Sequence, residues 1–485
     1  MLCKPNEKKG GGEEKRVKRS GASYEAKHES FFRKKNNFNE QYAPTYFHRL
    51  EEMRSFVMET LKRKGLEKKV VEKLLEVKRE EECIVVGTLF KKLPLLPSIL
   101  DEYATERGTR VLPKRDKYLS DKDVLLLEDE TGRTVLVGET NISKLVTGLV
   151  VGVEGKELAS GEFQVSAFYF PQMPLQNPLP PVPSPREPRY VAIVSGLHLG
   201  DEKMNPLYQQ LLLEFVGGDC GSQQDLNCLQ SKIVRVVIAG NSVFNSERNA
   251  ELKKLKNFHQ TISNESKEKL SSPLKTFDLF LSQLCSRVEV DLMPGEEDPA
   301  SHLFPQQPFN PSLFHSSSSY PHSLSLVTNP HSFLLHQTLF LGTSGQNINN
   351  LKLFTLFSPQ QQKQKQEEEE EEEKEDINKG LKEDVRSGEE TVELMKETLK
   401  WRHIAPTCPD TLPCYPFTQS DPFILSTCPH VYFVGNQSSF KQVWLEEEKQ
   451  KVKIICVPSF EKTHTIVLVD IDTLDSFPLS FHLPF

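Results

Sequence analysis

Residues 190–200 read Tyr-Val-Ala-Ile-Val-Ser-Gly-Leu-His-Leu-Gly, a continuous apolar run that ends in a glycine-containing turn. A strand without polar alternation is typical of a sheet whose two faces are both covered. The spacing of apolar residues over 206–216 then predicts a helix, and a second apolar run at 233–241 predicts another buried strand. This alternation predicts an α/β domain with its functional groups at the carboxyl ends of the strands.

The same pattern continues to the end of the chain. A predicted helix covers residues 276–285 and leads into a predicted strand at 288–295. Later apolar runs predict three more strands, at 432–436, 452–458 and 465–471. We therefore assign residues 189–485 to one α/β domain.

Four turns of this domain resemble those of calcineurin-like, metal-dependent phosphoesterases, whose fold has the layers αββα. In such enzymes, turns of the form D-x-H, G-D, G-N-H-D/E and G-H-x-H hold two divalent ions that activate a bridging water. Here the turns are kept, but most ligands are replaced. The corresponding positions are Gly196 and His198, then Asn241, then Glu296, Glu297 and Asp298, and finally Asn436 and Ser438.

Two of the expected ligands, His198 and Asp298, keep their identity. An active two-metal centre needs roughly six or more ligands. The sequence therefore predicts an inactive phosphoesterase domain, with no catalytic, metal-binding or cofactor-binding residues and no cofactor. The alternative is an active metal-dependent phosphodiesterase or nuclease that takes its ligands from other residues.

Residues 81–171 show the shorter period of strands. Five short strands with glycine-marked bends favour a small closed barrel of the oligonucleotide/oligosaccharide-binding (OB) type. The aromatic residues 168–170 lack basic neighbours, which favours core packing or a protein contact over binding of single-stranded DNA. A free single-strand-binding OB protein remains an alternative. The predicted strands are 83–90, 123–129, 133–138, 147–155 and 162–170.

Composition marks the remaining segments. Residues 1–40 are rich in charge and glycine and are predicted to be disordered, and 41–80 are predicted to be helical. A proline-rich linker is predicted over 172–188. A low-complexity acidic insert at 359–390, with seven consecutive glutamates, is predicted to lie outside the core.

The helical stripe of 41–80 comprises Phe47, Leu50, Met53, Val57 and Leu61, followed by a second run at Leu66, Val70, Leu74 and Leu75.

Charge and cysteine content narrow the class of protein. The 485 residues carry a net charge of −8, so no overall basic footprint for nucleic acid is present. Nine cysteines without a C-x-x-C motif indicate a reducing compartment rather than a disulfide framework or zinc finger. The sequence shows neither an apolar secretory start nor a membrane span. The basic cluster 15–19 is either a nuclear-import signal or part of a solvated tail.

Several phrases in order along the chain resemble the small-subunit family of DNA polymerase delta/II, the B-subunits of the eukaryotic replicative polymerases. The resemblance covers about residues 40–485 and departs from the family in the lysine-rich start and in the 348–392 region. The phrases are VVGTLFK (85–91), LPSILDEY (96–103), SKLVTG (143–148), VSGLHLG (194–200), VDLMPGEEDP (290–299), FLGTSGQN (340–347), RHIAPTCPDTLPCYPF (402–417), DPFI (421–424) and CPHVYFVGN (428–436).

The resemblance implies a nuclear, non-catalytic accessory subunit of polymerase delta that acts in DNA replication and repair. It implies that the chain binds the C-terminal metal-binding domain of the catalytic subunit and also the third subunit. It further implies an indirect link to the sliding clamp and DNA, and a role in polymerase zeta. The aromatic loops 414–417 and 421–424 are candidate contact segments, with packing into the core as the alternative.

Overall fold

The structure is a computed structural model, and its described residues begin at Arg19. The first elements are strand β1 (Tyr24–Ala26), helix α1 (Ala43–Arg63) and the short strand β2 (Val70–Val71). The described ranges are 19–33, 39–66, 68–107, 115–138, 141–179, 181–182, 186–201, 203–218, 229–244, 264–357 and 376–483.

Five strands and one short helix follow. The strand β3 pairs with both β4 and β6, while β7 pairs with β5 and β6, so the sheet closes on itself in the order β3-β4-β5-β7-β6. The predicted five-stranded barrel is therefore confirmed. The elements are β3 (Glu82–Lys92), α2 (Ile99–Glu106), β4 (Val124–Glu128), β5 (Arg133–Val137), β6 (Val150–Glu157) and β7 (Phe163–Tyr169).

Helix α1 packs on the outside of the barrel. Its residues Met53 and Val57 are buried against Ile84 and Val150 of the barrel strands. Tyr169 is partly buried at the same place, and Lys64 Nζ of α1's carboxyl-terminal end lies 5.3 Å from its ring centroid, so this ring has a basic neighbour that the sequence analysis did not expect. The predicted helix of 41–80 is thus present in its first half.

The second apolar run of 41–80 does not form the predicted helix. Val70 and Val71 instead form β2, which pairs in parallel with Ile84 and Val85 of β3. A single 3₁₀ turn follows at Leu74–Glu76, and Leu75 is exposed. β-branched residues fit a pleated edge better than a helix, and here the barrel offers such an edge.

The second part of the chain contains two six-stranded mixed sheets. The first sheet has the order β11-β10-β9-β8-β17-β18 and the second β1-β12-β13-β14-β16-β15. Their strands are β8 (Tyr190–Val194), β9 (Ile233–Ala239), β10 (Glu289–Met293), β11 (Leu324–Leu326), β12 (His331–Leu335), β13 (Thr338–Thr343), β14 (Val431–Gln437), β15 (Lys441–Glu447), β16 (Gln450–Pro458), β17 (Thr465–Asp470) and β18 (Ser476–Ser480).

Helices cover the outer faces of these sheets. The inner faces pack on each other through residues such as Val191, Val237, Phe333 and Phe433. α3 and α4 lie on the first sheet, and α5 and α6 lie on the second. The result is a four-layer α/β/β/α arrangement, which agrees with the predicted α/β class. The helices are α3 (Pro206–Gly217), α4 (Asn264–Cys285), α5 (Gln346–Phe354), α6 (Asp376–Lys400) and the short α7 (Phe460–Thr463).

The prediction of a disordered start is wrong for residues 19–33. Strand β1 pairs antiparallel with β12 at the edge of the second sheet, and Phe31 is buried. His28 contacts His331, with 3.1 Å between their Nδ1 atoms. This segment has few aliphatic residues, and its contact with the core is made by aromatic rings, including those of Tyr24 and Phe31. Residues 1–18, with most of the basic cluster, lie outside the described residues.

The predicted low-complexity insert at 359–390 includes residues 376–390, which are helical. These residues form the first part of α6, and Glu390 pairs with Lys117 of the barrel domain. Ile377, Leu381 and Val385 recur at a spacing of four, a helical period hidden by the surrounding charge. Residues 359–375 lie outside the described residues.

The described part of the proline-rich segment after β7 has no regular secondary structure and lies on the second domain. Met173 is buried, and Gln176 Nε2 donates to the carbonyl oxygens of Pro429 and Lys451. This segment therefore joins the two parts of the chain by contact as well as by covalent linkage. In the part of the chain that the structure describes, no helix is long and apolar enough to cross a membrane.

Candidate functional site

The four ligand-poor turns lie together at the carboxyl ends of β8, β9, β10 and β14. The amide of Gly196 donates to Gly240 O at 2.9 Å, and that of His198 donates to Asn241 O at 3.2 Å. Asn436 joins the group, because its Nδ2 donates to Ala239 O at 3.3 Å. The expected convergence of these turns is therefore present.

Gly196, at the position of the expected carboxylate, has no room for a side chain. Its φ of +64° lies in the left-handed region that favours glycine. An added Cβ would overlap Ser459 Oγ and lie 2.9 Å from Asn436 Oδ1. The neighbouring turns thus fill the space that a metal ligand would need.

Asp298, which keeps its ligand identity, is tied to the backbone instead. Its Oδ1 accepts from the amides of Ser242 and Val243 at 2.8 and 3.0 Å, and its Oδ2 accepts from Gly295 at 2.8 Å. Burial raises the pKa of Asp298 to about 6, against the opposing effect of these amides. The side chain braces two turns, which is a structural role.

His198, the other surviving residue, lies beside two carboxylates. Its Nδ1 is 3.5 Å from Glu297 Oε2 and 3.7 Å from Glu461 Oε2. Asn241 Oδ1 accepts from the backbone amide of Glu297 at 3.2 Å. Over the described ranges, no group of three or more His, Cys, Asp or Glu side chains is arranged to hold a metal ion.

A buried amide network, which the sequence analysis did not identify, fixes the same turns. Gln306 Nε2 donates to Gly295 O at 2.9 Å, and Gln306 Oε1 accepts from Asn329 Nδ2 at 2.8 Å. Asn329 Nδ2 also lies 2.7 Å from Ser344 Oγ. Buried amides are stable only when paired, and the partners here come from separate loops, so no sequence spacing reveals the network.

The aromatic loops predicted as candidate contact segments are internal, which corrects that prediction in favour of its alternative. Tyr415 and Phe423 are buried, and the Phe423 ring stacks on Phe304 with centroids 5.2 Å apart. Asp421 pairs with Arg49 of α1 at 2.6 Å. The loops therefore attach α1 to the second domain.

Arg49 connects three parts of the chain in this interface. Its Nη1 donates to Pro406 O at 2.8 Å and Gly148 O at 3.4 Å, and its Nη2 donates to Cys408 O at 2.8 Å. Burial alone raises the pKa of Asp421, but the Arg49 charge and the adjacent His403 together hold it well below its usual range. The pair is therefore ionised at neutral pH.

The titration of Asp298 gives a test of its structural role. Because its pKa in the folded chain is about 6, above the ordinary value near 3.9, the stability linked to its protonation is full below about pH 3.9 and is lost as pH rises through about 6. We expect the Asp298→Asn variant to lack this component. Urea unfolding of both proteins from pH 4 to 7 measures it, and parallel pH profiles would contradict the assignment.

Models of two protein families match the two parts of the chain. The DNA polymerase delta subunit OB-fold domain matches residues 41–168, which include α1 and the barrel. The B-subunit family of DNA polymerases alpha and epsilon matches residues 191–442, within the two-sheet domain. Barrel and four-layer domain together define a B-type accessory chain of the DNA polymerases.

Similarity to individual curated proteins shows to which family of polymerase B-subunits the chain belongs. The DNA polymerase delta small subunit of Arabidopsis thaliana is 39% identical, with 96% of this chain and 97% of that protein covered. The one from Oryza sativa subsp. japonica is 37% identical over 92% and 94%. That of Saccharomyces cerevisiae is 34% identical over 91% and 90%. The chain belongs to the DNA polymerase delta small subunit family.

Proposed function

We propose that this chain is the non-catalytic accessory subunit of the replicative DNA polymerase delta. In this role it scaffolds the catalytic subunit and the third subunit for DNA replication and repair synthesis. The observation that carries the proposal is the similarity to polymerase delta small subunits over more than nine-tenths of the chain. We extend it to the C-terminal metal-binding domain of the catalytic subunit, to an indirect link with the sliding clamp, and to polymerase zeta.

The state of the four turns supports a non-catalytic role. We propose that the two-sheet domain is a calcineurin-like phosphoesterase fold whose catalytic centre has been lost. The space at Gly196 is filled by Ser459, and Asp298 is engaged by three backbone amides. A fold kept without its ligands retains rigid surfaces, and these are what a scaffold requires.

A nuclear location and the domain map belong to the same proposal. The map comprises the barrel at 81–171, the linker at 172–188 and the phosphoesterase-like domain at 189–485. The guanidinium of Arg19 donates to the carbonyls of Val216, Gln230 and Ile233. Arg19 is therefore engaged within the fold, and we do not include it in the proposed import signal. The import signal is therefore proposed to rest on residues 15–18.

Reconstitution tests the scaffold function. We expect the purified chain to co-elute with the polymerase delta catalytic subunit and, in a three-protein mixture, to bring the third subunit into the same peak. The chain alone is expected to hydrolyse no phosphodiester in the presence of Mn²⁺. A well-folded chain at micromolar concentration that binds neither subunit would refute the proposal.

A further inference from the structure

The first described residues form a strap that contacts both sheets of the second domain. At its start, Arg19 donates to the carbonyl of Ile233 on the first sheet at 2.8 Å. Strand β1 then pairs with β12 at the edge of the second sheet. At its far end, the carbonyl of Phe31 accepts from Gln307 Nε2 at 3.0 Å. We call residues 19–33 the N-terminal strap.

Two buried histidines meet where the strap leaves β12. His28 of the strap and His331, the first residue of β12, place their Nδ1 atoms 3.1 Å apart. On the other side of its ring, His331 Nε2 lies 3.4 Å from Asp291 Oδ2. His28 is 8% exposed and His331 is fully buried, so the contact between the two rings is shielded from solvent.

The contact between the two Nδ1 atoms limits the number of protons on the rings. A neutral imidazole carries one N–H group and an imidazolium carries two. A hydrogen bond between the Nδ1 atoms needs a proton on one of them and a lone pair on the other. A second positive charge would leave two N–H groups facing each other. The pair therefore keeps its contact with one positive charge at most.

The surroundings of the pair also suit no more than one positive charge. Arg235 lies beside it and pairs with both Asp291 and Glu289, so these two carboxylates balance the guanidinium and one imidazolium. Burial, and then the charge of His331, lower the pKa of His28 to about 4. The charged and titratable groups around the pair are Tyr24 of β1, Glu29 of the turn after His28, Arg235 of β9, and Glu289 and Asp291 of β10.

We infer that the contact between His28 and His331 is proton-sensitive: it holds the N-terminal strap on β12 at neutral pH and releases the strap in mild acid. The pKa of His28 in the docked strap is below its ordinary value near 6.5. The contribution of this contact to docking is therefore present above about pH 6.5 and is lost as pH falls towards about 4. Release would expose the edge of β12, whose other neighbour is β13. Exposed edge strands can pair with further chains.

Hydrogen exchange of the full-length chain, followed by mass spectrometry, tests the inference. We expect the opening of residues 19–33, corrected for the intrinsic effect of pH on exchange, to increase about tenfold or more between pH 7.5 and 5. Strand β9 should stay equally protected, which excludes general unfolding. The range ends above the ordinary pKa of carboxylates. In His28→Asn, which keeps a polar group near Nδ1 but cannot be charged, acid should open the strap no further.

His336→Asn is the matched control. His336 follows β12, and its backbone amide donates to the carbonyl of Ser23 in the strap at 2.7 Å, but its side chain is exposed. Asparagine tolerates the positive φ of this position. Its strap should open in acid like that of the wild type.

Two results would overturn the inference. One is a wild-type strap that is as protected at pH 5 as at pH 7.5, and this result decides the matter even if His28→Asn fails to dock its strap. The other is a strap in His28→Asn that is docked at pH 7.5 and opens in acid as much as in the wild type.

Discussion

The Arg49→Ala variant is expected to lose about 3–5 kcal/mol of unfolding free energy, because it leaves the carboxylate of Asp421 buried without its counter-charge. Both side chains of this pair are almost fully buried, and the neighbouring His403 cannot replace the Arg49 charge at pH 7, because burial lowers the pKa of its imidazole. The carbonyls of Pro406 and Cys408 also lose their donors. Urea denaturation at pH 7 measures the loss.

Arg63→Ala is the control within the same helix. Arg63 pairs with Glu448 at 3.3 Å on the surface, where ion pairs contribute at most about 1 kcal/mol. The double variant Arg49→Met/Asp421→Asn should be more stable than Arg49→Ala, since it leaves no unpaired buried charge. Equal losses for Arg49→Ala and Arg63→Ala would show that the buried pair does not hold α1 in place.

Acid should weaken the same interface. The pKa of Asp421 is held below its usual range in the folded chain, so its contribution is present above the ordinary aspartate pKa and is lost as pH falls through the lowered value. The Arg49→Ala variant should lack this component. A comparison of the two proteins below pH 4 therefore separates the ion pair from the general effect of acid.

The Gly196→Asp variant, which restores the ligand type expected at this turn, is expected to destabilise the chain and to restore no activity. The positive φ costs a non-glycine residue roughly 1–2 kcal/mol. Overlap with Ser459 and burial of a charge raise the expected total to roughly 3 kcal/mol or more. Thermal and chemical denaturation measure this loss, and a diester assay with Mn²⁺ measures activity.

Gly65→Asp is the matched control for backbone strain. Gly65 has a φ of +63°, close to the +64° of Gly196, but an added Cβ there would meet nothing within 4 Å. It should therefore show the cost of the positive φ without the overlap, roughly 1–2 kcal/mol. A Gly196→Asp protein as stable as Gly65→Asp, or one that hydrolyses diesters, would refute the view that this position is closed.

Much of the architecture follows from the local sequence. The apolar runs at 190–194 and 233–239 are strands because they have no polar face to turn to water. The five strands of the barrel, helix α1 and the four turns at the strand ends also follow from periodicity and glycine placement. These features are local, and a window of a dozen residues contains the information that determines them.

Other features depended on contacts between distant segments. Composition hid edge strand β1, which pairs with β12, and the helical first part of α6, where Glu390 pairs with Lys117 of the barrel domain. The loops 414–417 and 421–424 have the aromatic composition of an interface, yet they lie in the interior, where Asp421 pairs with Arg49 of α1. Whether an aromatic ring is core or surface depends on what packs against it.

The sequence by itself predicted four turns at strand ends that resemble those of a phosphoesterase but carry few of its ligand types. The tertiary structure decided what those turns do, because the overlap at Gly196 and the three amides around Asp298 come from residues on other loops. It also decided that Phe47 stands outside the core while its stripe neighbours are buried. Periodicity fixes the face of a helix on which a residue lies, but the neighbouring elements decide whether that part of the face is covered.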